Sequence, residues 1–452
     1  MGPIPLPDEA PSLLIQLAEW EQVDAEKDAR LRGVSLAHDA AAQQVARALR
    51  GCLDIREGFH GLEITSTSFV GRIDVGLVRI AVGPKLPAMP LSTLLRYAYG
   101  LRDISTFHET KVPIEGHGFQ DLLVLMLVAE IEELVHRGLA RRYVPEAQNL
   151  GSPRGRILIN EIARTGGLVE ARLPCRHFDR TTNWHLNFVL EGGLHMAAEI
   201  TDDRDLRRRG LRMTEFFGDS HRAHLSGDDI VRAQQQVTRL TAAYIPALTI
   251  IRVLHEMLGI GFGPTERENR LPGFLFDMNT FFQRLLSRFL HENLSDIVVD
   301  EWQIRNVFAY APNVNPKRRI APAPRPDFAI LHNNRLDGFL DAKYRDIWNR
   351  GLPADWLYQL SVYALSAPNQ TSVLLYATTD PTARDEQVEI RQPIKSGTGD
   401  SASVICRPVL LQRLAKLVHP ETAQSLGGAR NALARYLVNP SPGLGPMPGV
   451  HQ

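Results

Sequence analysis

Residues 325–344 read RPDFAILHNNRLDGFLDAKY, and this stretch decides the fold. Asp327 follows Pro326 at the head of an apolar run. Asp341 comes fourteen positions later, and a single small residue, Ala342, separates it from Lys343. Phe328 to Leu331 and Leu336 to Ala342 have strand composition, and His332-Asn333-Asn334-Arg335 between them is turn chemistry. A loop centred on Asn334 would set Asp327 opposite Asp341 in an antiparallel ladder. Opposed residues share a face, with Cβ atoms about 5 Å apart. Lys343 joins that face because side chains alternate along a strand.

Two carboxylates held that close repel unless a cation lies between them. Mg²⁺ suits such a pair, being a hard ion that takes oxygen ligands and keeps several waters. It would polarise a phosphoryl oxygen and lower the pKa of a bound water. Lys343 would act as a compact point charge on the phosphate or position that water. The hairpin alone leaves both a site and a solvated sheet face open. The sequence downstream bears on the choice. Asp355 to Leu365, DWLYQLSVYAL, has amphipathic helix spacing, and Gln359 and Tyr363 share a helix face four residues apart.

RPDF, LDAK and the Gln359/Tyr363 pair resemble the PD-(D/E)xK nuclease superfamily, and more narrowly the McrC family of methylation-dependent restriction systems. Four further segments are similar to the narrower family, in its order: VGRIDVGLVRIAVGPKL at 70–86, RGLARRYVPEAQNLGSPRGRI at 137–157, CRHFDRTTNWHLN at 175–187 and FLFDMNTFFQRLL at 274–286. The resemblance implies a C-terminal mixed sheet flanked by helices, hence an α/β (α+β overall) chain. It implies Asp327, Asp341, Lys343, Gln359, Tyr363 and Gln283 as the catalytic set, with Asp327, Asp341 and Ala342 as the metal set. The cofactor implied is Mg²⁺, for which Mn²⁺ can substitute. It also implies an AAA+ GTPase partner, an McrB-like hexamer, DNA containing modified cytosine as substrate, and pairing of two such complexes through their McrC-like chains. The hairpin at 70–86 is the segment expected to contact the ring. There is one departure. Where the family's opening helix carries a Glu after its aromatic pair, this chain has Gln283, with Glu292 and Asp300 as acids able to compensate. That departure keeps a second reading open, a non-catalytic regulator or assembly factor of an AAA+ ring with a degenerate nuclease fold.

The 452 residues are enough for two or three domains. Lys and Arg number 51, as do Asp and Glu, so the chain is no polycation and contacts with nucleic acid must come from local patches. Lys317-Arg318-Arg319, just ahead of the hairpin, and Arg325 are the candidates for holding DNA phosphates; such contacts position a duplex without reading it. Cys52, Cys175 and Cys406 are too scattered for a disulfide framework or a zinc site. GIGFGPTE at 259–266 lacks the Gly-Lys-Ser/Thr ending of a phosphate loop, so this chain is expected to bind no nucleotide itself. No apolar run approaches membrane length, and the chain reads as cytoplasmic with no membrane contact.

Composition shifts divide the chain into a β-rich, partner-contacting unit with a helical leader at 1–115, a mainly helical middle at 116–268, the nuclease domain at 269–438 and a Pro/Gly-rich disordered tail at 439–452. Helices are expected at Leu13–Trp20, Leu36–Leu49, Phe119–Arg137, Leu186–Ala198, Ile230–Leu258, 275–292, 354–366, 410–418 and 420–437. Strands are expected at 296–300, 302–311 and 372–378, with an edge hairpin of 388–394 and 403–409.

Overall fold

The structure is a computed structural model that describes residues 13–101, 119–165, 171–182, 184–217, 225–258, 273–391, 401–422 and 425–443. They form two compact units. One joins residues 13–101 to 273–443, and the other spans 120–256.

The first unit opens with β1 (Leu13–Ala18), β2 (Gln22–Val23), α1 (Ala40–Ala48), β3 (Leu53–Glu57), β4 (Leu62–Ser66), β5 (Phe69–Val75), β6 (Val78–Gly83) and α2 (Ala88–Tyr99). The stretch Leu13–Trp20, expected as a helix, is a strand as far as Ala18. Ile15 and Leu17 are buried while Leu14 and Gln16 face outward, a period of two that the parallel pairing with β6 fixes. β5 and β6 pair antiparallel inside the same sheet, and their buried Ile73, Val75, Val78, Ile80 and Val82 belong to its core. Both are inner strands of that sheet, and the turn between them leaves Gly76 and Leu77 exposed. β2, β4 and β3 form a second, antiparallel sheet, and Asp39 caps α1 by accepting the Ala42 N–H.

The second unit holds α3 (Phe119–Arg137), β7 (Arg142–Leu150), β8 (Arg156–Ile157), α4 (Ile159–Thr165), β9 (Leu173–Thr181), α5 (His185–Ile200), α6 (Arg204–Thr214), α7 (Gly227–Gln235) and α8 (Ile245–Leu258). The segments ending in Arg-Gly-Arg and beginning with Cys175 build a three-stranded sheet, β7-β9-β8, that the helical reading missed. Gly155 takes φ +73 there, and a Cβ on it would lie 2.4 Å from the Arg176 carbonyl. The helix expected over Ile230–Leu258 is two helices. Thr241 Oγ1 accepts the Thr238 N–H in the break, and Pro246 opens α8 in its first turn, where no N–H is needed.

The remainder of the first unit runs β10 (Gly273–Asp277), α9 (Met278–Asn293), β11 (Ile297–Asp300), β12 (Phe328–His332), β13 (Arg335–Lys343), α10 (Ala354–Ser366), β14 (Thr371–Thr378), β15 (Glu386–Glu389), β16 (Ser403–Leu410), α11 (Leu411–Val418) and α12 (Gly427–Val438). The helix expected from 275 begins at Met278, because Gly273–Asp277 pair antiparallel with β5 and Asp277 then caps α9 through the Asn279 N–H. Gly273 permits that close approach: a Cβ on it would meet the Arg72 carbonyl at 2.4 Å. The β10 pairing extends the N-terminal sheet to β1-β6-β5-β10. A six-stranded mixed sheet, β11-β12-β13-β14-β16-β15, follows, with β13, β14 and β16 parallel and the other pairings antiparallel. The chain is therefore of mixed α/β class.

The strand expected at 302–311 does not form. Pro322, Pro324 and Pro326 deny the facing segment its N–H donors, so the ladder ends at Asp300↔Phe328 and continues as two single bonds, Glu301 N–H to the Asp327 carbonyl, 2.8 Å, and Ile304 N–H to the Pro324 carbonyl, 2.9 Å. β15 pairs with β16 as the edge hairpin predicts, while its turn, 392–400, lies outside the described residues, as do 259–272. Residues 439–443, placed by composition in a loose tail, are held. Fully buried Arg407 donates to the carbonyls of Tyr436, Leu437, Asn439 and Ser441, and pairs with Asp385 at 2.8 Å. Gly443 N–H closes the loop on Asp385 Oδ2. Among the described residues no helix is long and apolar enough to cross a membrane.

Candidate active site

The β12–β13 hairpin turns through two residues, Asn333 and Asn334, both at positive φ (+49 and +63), the pattern of a type I′ turn. His332 faces Arg335 and Leu331 faces Leu336, after which the register shifts by one and Phe328 comes to face Leu340. A two-residue turn with a bulge at Asp337 thus replaces the expected wider loop. The net register is the same: Asp327 lies one step beyond the Phe328↔Leu340 pair, on the line of Asp341. The junction is closed by the Ala342 N–H, which donates to Asp327 Oδ2 at 2.7 Å.

Asp341 is buried on β13, a central strand with neighbours on both sides. Lys343 Nζ lies 2.8 Å from Asp341 Oδ2, but off the direction of a hydrogen bond, so that buried oxygen accepts none. Burial, followed by the charge of Asp341, pushes the Asp327 carboxyl up to about 7. Burial also raises Asp341, against the pull of Lys343. Burial works against the charge of Lys343, yet Asp341 and then Asp327 outweigh it and hold the ammonium above its ordinary value. Two carboxylates against one ammonium leave a net negative charge in a desolvated place. That imbalance, with a buried carboxylate oxygen lacking a directed donor, fits a divalent cation held by Asp327 and Asp341.

From α10, the Gln359 amide donates to Tyr363 Oη at 2.7 Å, as the four-residue spacing predicts. Burial raises the Tyr363 phenol to about 12, and the charges of Asp341 and Asp327 add to that. Gln283 is half-buried on α9 and makes no hydrogen bond among the described residues, to the carboxylates or elsewhere. Neither of the acids offered as its compensation is free. Glu292 accepts from Tyr97, Arg288 and Arg430, and Asp300 accepts from Ser287. The further acid whose charge Asp327 feels is Glu301, whose N–H donates to the Asp327 carbonyl at 2.8 Å. Arg325 is turned toward it, 2.5 Å from Glu301 Oε2. Lys317, Arg318 and Arg319 are exposed on a turn that Asn315 ties at both ends, through the Arg319 N–H and carbonyl.

Sequence reasoning missed four residues around Lys343 and Tyr344. Trp356 sets its ring 5.8 Å from Lys343 Nζ. Asn279 Oδ1 accepts the Tyr344 N–H at 3.0 Å while its amide donates to Ser68 Oγ at 2.7 Å. Lys85 and Glu19 reach Tyr344 from the N-terminal sheet. Lys85, Asn279 and Trp356 lie in segments the sequence brings forward, 70–86, 274–286 and 355–365, but no local pattern singles them out. In the second unit, Glu146, His177 and Asp179 bring ligand-type atoms within 4.8 Å of one another, but Gln148 donates to Glu146 and Arg154 pairs with Asp179 at 3.3 Å, so protein groups already meet that charge.

Residues 64–377 match the profile of a family described as McrBC 5-methylcytosine restriction system component. The chain belongs to that family. The match covers most of the hairpin-bearing sheet, and both carboxylates, Lys343 and the Gln359/Tyr363 pair fall inside it. Among solved structures, this McrBC-family chain is similar to one from a half-complex of a Thermococcus gammatolerans tetradecameric assembly of McrB AAA+ hexamers with bound McrC. The TM-score is 0.63 at 18% identity, over 91% of this chain and 100% of that one. A chain from the Thermococcus gammatolerans McrBC complex matches over 63% of this chain and 89% of its own, at 18% identity and a TM-score of 0.45. At such identity the first likeness speaks for the fold alone. Curated proteins give no match.

Proposed function

We propose that this chain is the metal-dependent DNA endonuclease subunit of a modification-dependent restriction complex. The observation that carries the reading is the buried pair Asp327 and Asp341, set in register by a bulged hairpin with Lys343 on the same strand and short of one positive charge. Asp327 and Asp341 would hold the ion, with Ala342 supplying backbone at the same point, and Mg²⁺ is the natural occupant, Mn²⁺ a substitute. The chemistry a bound ion supplies is polarisation of the scissile phosphate and a lowered pKa for attacking water. Lys343 is the group placed to meet negative charge developing on that phosphate, and Tyr363 with Gln359 borders the pair from α10. Lys317, Arg318 and Arg319, exposed and free of ion pairs among the described residues, suit the phosphate backbone of DNA. Arg325, paired with Glu301, suits it less.

Family membership supports a 5-methylcytosine restriction setting and so a modified-cytosine DNA substrate. The similar solved chain comes from a tetradecameric assembly in which McrC is bound to McrB AAA+ hexamers, which supports an AAA+ partner for this chain and pairing of two complexes; that the partner is a GTPase whose hydrolysis this chain stimulates belongs to the same proposal. Gln283 favours the competing reading, a regulator of such a ring whose nuclease centre no longer cuts, since it brings neither a charge nor a hydrogen bond to the carboxylates.

The test is cleavage of methylated and unmethylated plasmid by the chain with its AAA+ partner, Mg²⁺ and GTP, alongside Asp341→Asn. Cutting that requires methylation and Mg²⁺, and falls by at least about 10³-fold in the variant, is expected where a metal ligand is lost. GTP hydrolysis stimulated equally by wild type and variant, with no cutting by either, would establish the regulator instead.

A further inference from the structure

We propose that Lys85 is a positioning residue for the candidate active site, an inference that rests on the nuclease reading above. The pairing of β13 with β14 stops at Lys343↔Tyr376. One residue further along each strand, the carbonyls of Tyr344 and Ala377 both accept from a single ammonium, Lys85 Nζ, at 3.1 and 3.2 Å. The same nitrogen sits 4.0 Å from the centre of the Tyr344 ring. Lys85 therefore bridges the ends of two adjacent parallel strands where the ladder gives out, and it does so from the segment that leaves β6 in the other sheet.

The carbonyl it grips on β13's side belongs to Tyr344, the residue that follows Lys343. Tyr344 is fixed at three points, all from outside the hairpin. Lys85 takes its carbonyl, Asn279 Oδ1 accepts its N–H at 3.0 Å, and Glu19 Oε1 accepts its hydroxyl at 3.3 Å. Glu19 Oε1 also accepts the Lys85 N–H at 3.1 Å, so the lysine backbone and the tyrosine ring share one anchor. The Tyr344 N–H held by Asn279 lies in the planar peptide unit that contains the Lys343 Cα, and the carbonyl held by Lys85 lies in the next unit, joined to it at the Tyr344 Cα, so a shift of that carbonyl reaches Lys343 through a single hinge. Withdrawing an ammonium from water costs free energy, and burial lowers the pKa of Lys85 accordingly. An apolar side chain would fill the space without that cost but would leave two carbonyls unmet. The lysine is what ties them together.

A role limited to stability would lower activity only as far as the folded fraction falls. The distinguishing experiment uses the full chain with its AAA+ partner and compares wild type with Lys85→Met and Lys85→Arg. Steady-state cleavage, thermal unfolding and amide hydrogen exchange of the peptide covering 341–346 are measured, with 404–410 as the remote control. Folded Lys85→Met is expected to lose about 10- to 100-fold in kcat through misplacement of Lys343. Its KM for DNA is expected to stay within about two-fold. Exchange is expected to quicken at 341–346 and stay unchanged at 404–410. Lys85→Arg, which keeps charge and donors, should recover part of the rate. Cleavage at the wild-type rate by folded Lys85→Met, or loss matched by the unfolded fraction, overturns the proposal. Unchanged exchange at 341–346 overturns it as well. If Lys85→Met does not fold, Lys85→Gln, a neutral amide of shorter reach, is judged by the same kcat and exchange criteria. Wild type that cuts nothing would instead defeat the nuclease reading, and the exchange result then decides separately whether Lys85 holds this strand.

Discussion

Glu19 shows how a single carboxyl records the cost of joining two parts of the chain. It is buried beside Lys85 and Tyr344, its Oε2 accepts no hydrogen bond, and burial raises it from 4.5 to about 7 against the pull of Lys85. A carboxyl whose pKa is higher folded than unfolded binds its proton more tightly in the folded state. Its contribution to stability is whole below pH 4.5 and is lost as pH rises through about 7. Glu19→Gln keeps an oxygen for the Lys85 and Tyr344 donors but cannot ionise. The Tm of the variant relative to wild type should therefore climb between pH 5 and pH 8, and thermal unfolding at several pH values measures the difference. A flat difference would mean that Glu19 is not desolvated as the structure has it. At this scale the sequence was most legible where chemistry and spacing coincide. Asp327, Asp341, Lys343, Gln359 and Tyr363 could be chosen because strand alternation and helical spacing are local rules. Glu19, Lys85 and Asn279 could not, because what makes them matter is a partner 65 or more residues away.

The hairpin carries the site, and its turn is the weakest point of its design. Asn333 and Asn334 both occupy the left-handed region, where a side chain branched at Cβ is strained. Asn334→Val should destabilise the protein by about 1–2 kcal/mol. Asn334→Gly, the residue a type I′ turn prefers at its second position, should equal or exceed wild type. Denaturant midpoints of the two variants test this, and a harmless Asn334→Val would mean that the turn is not of this kind. The pairing of Asp327 with Asp341 was readable although the loop was not, because a two-residue turn plus one bulged residue spans the same number of positions as a wider turn without a bulge. Strand β1 and the absent strand at 302–311 were misread for opposite reasons. Leu13–Ala18 carries apolar residues compatible with either period, and only the β6 partner selects period two. The 302–311 run has strand composition, but the prolines opposite it lack the donors a ladder needs.

For the whole molecule, the decisive contact is the pairing of β10 with β5, which makes the strand leading into the hairpin-bearing sheet the edge of the N-terminal sheet. No local pattern announces a ladder between residues 69–73 and 273–277, so composition alone divides the chain where the structure joins it. Leu275 lies in the core cluster built by Ile15, Ile73 and Ile80, and Ser68 accepts from the Asn279 amide that helps hold Tyr344. A fragment of residues 269–443 would expose the β10 edge, uncover the apolar side of Leu275 and lose Lys85 and Glu19 from Tyr344. Unpaired edges and bare apolar faces favour aggregation. The fragment expressed alone is therefore expected to be insoluble or to bind a dye for exposed apolar surface, and to cut no DNA. Supplying residues 1–101 as a separate chain should restore solubility, since the two pieces together contain every strand of the shared sheet. A soluble, cooperatively unfolding 269–443 fragment would show that the β5–β10 ladder is dispensable. It would then remove the structural ground for treating the N-terminal sheet as part of the machinery that sets Lys343.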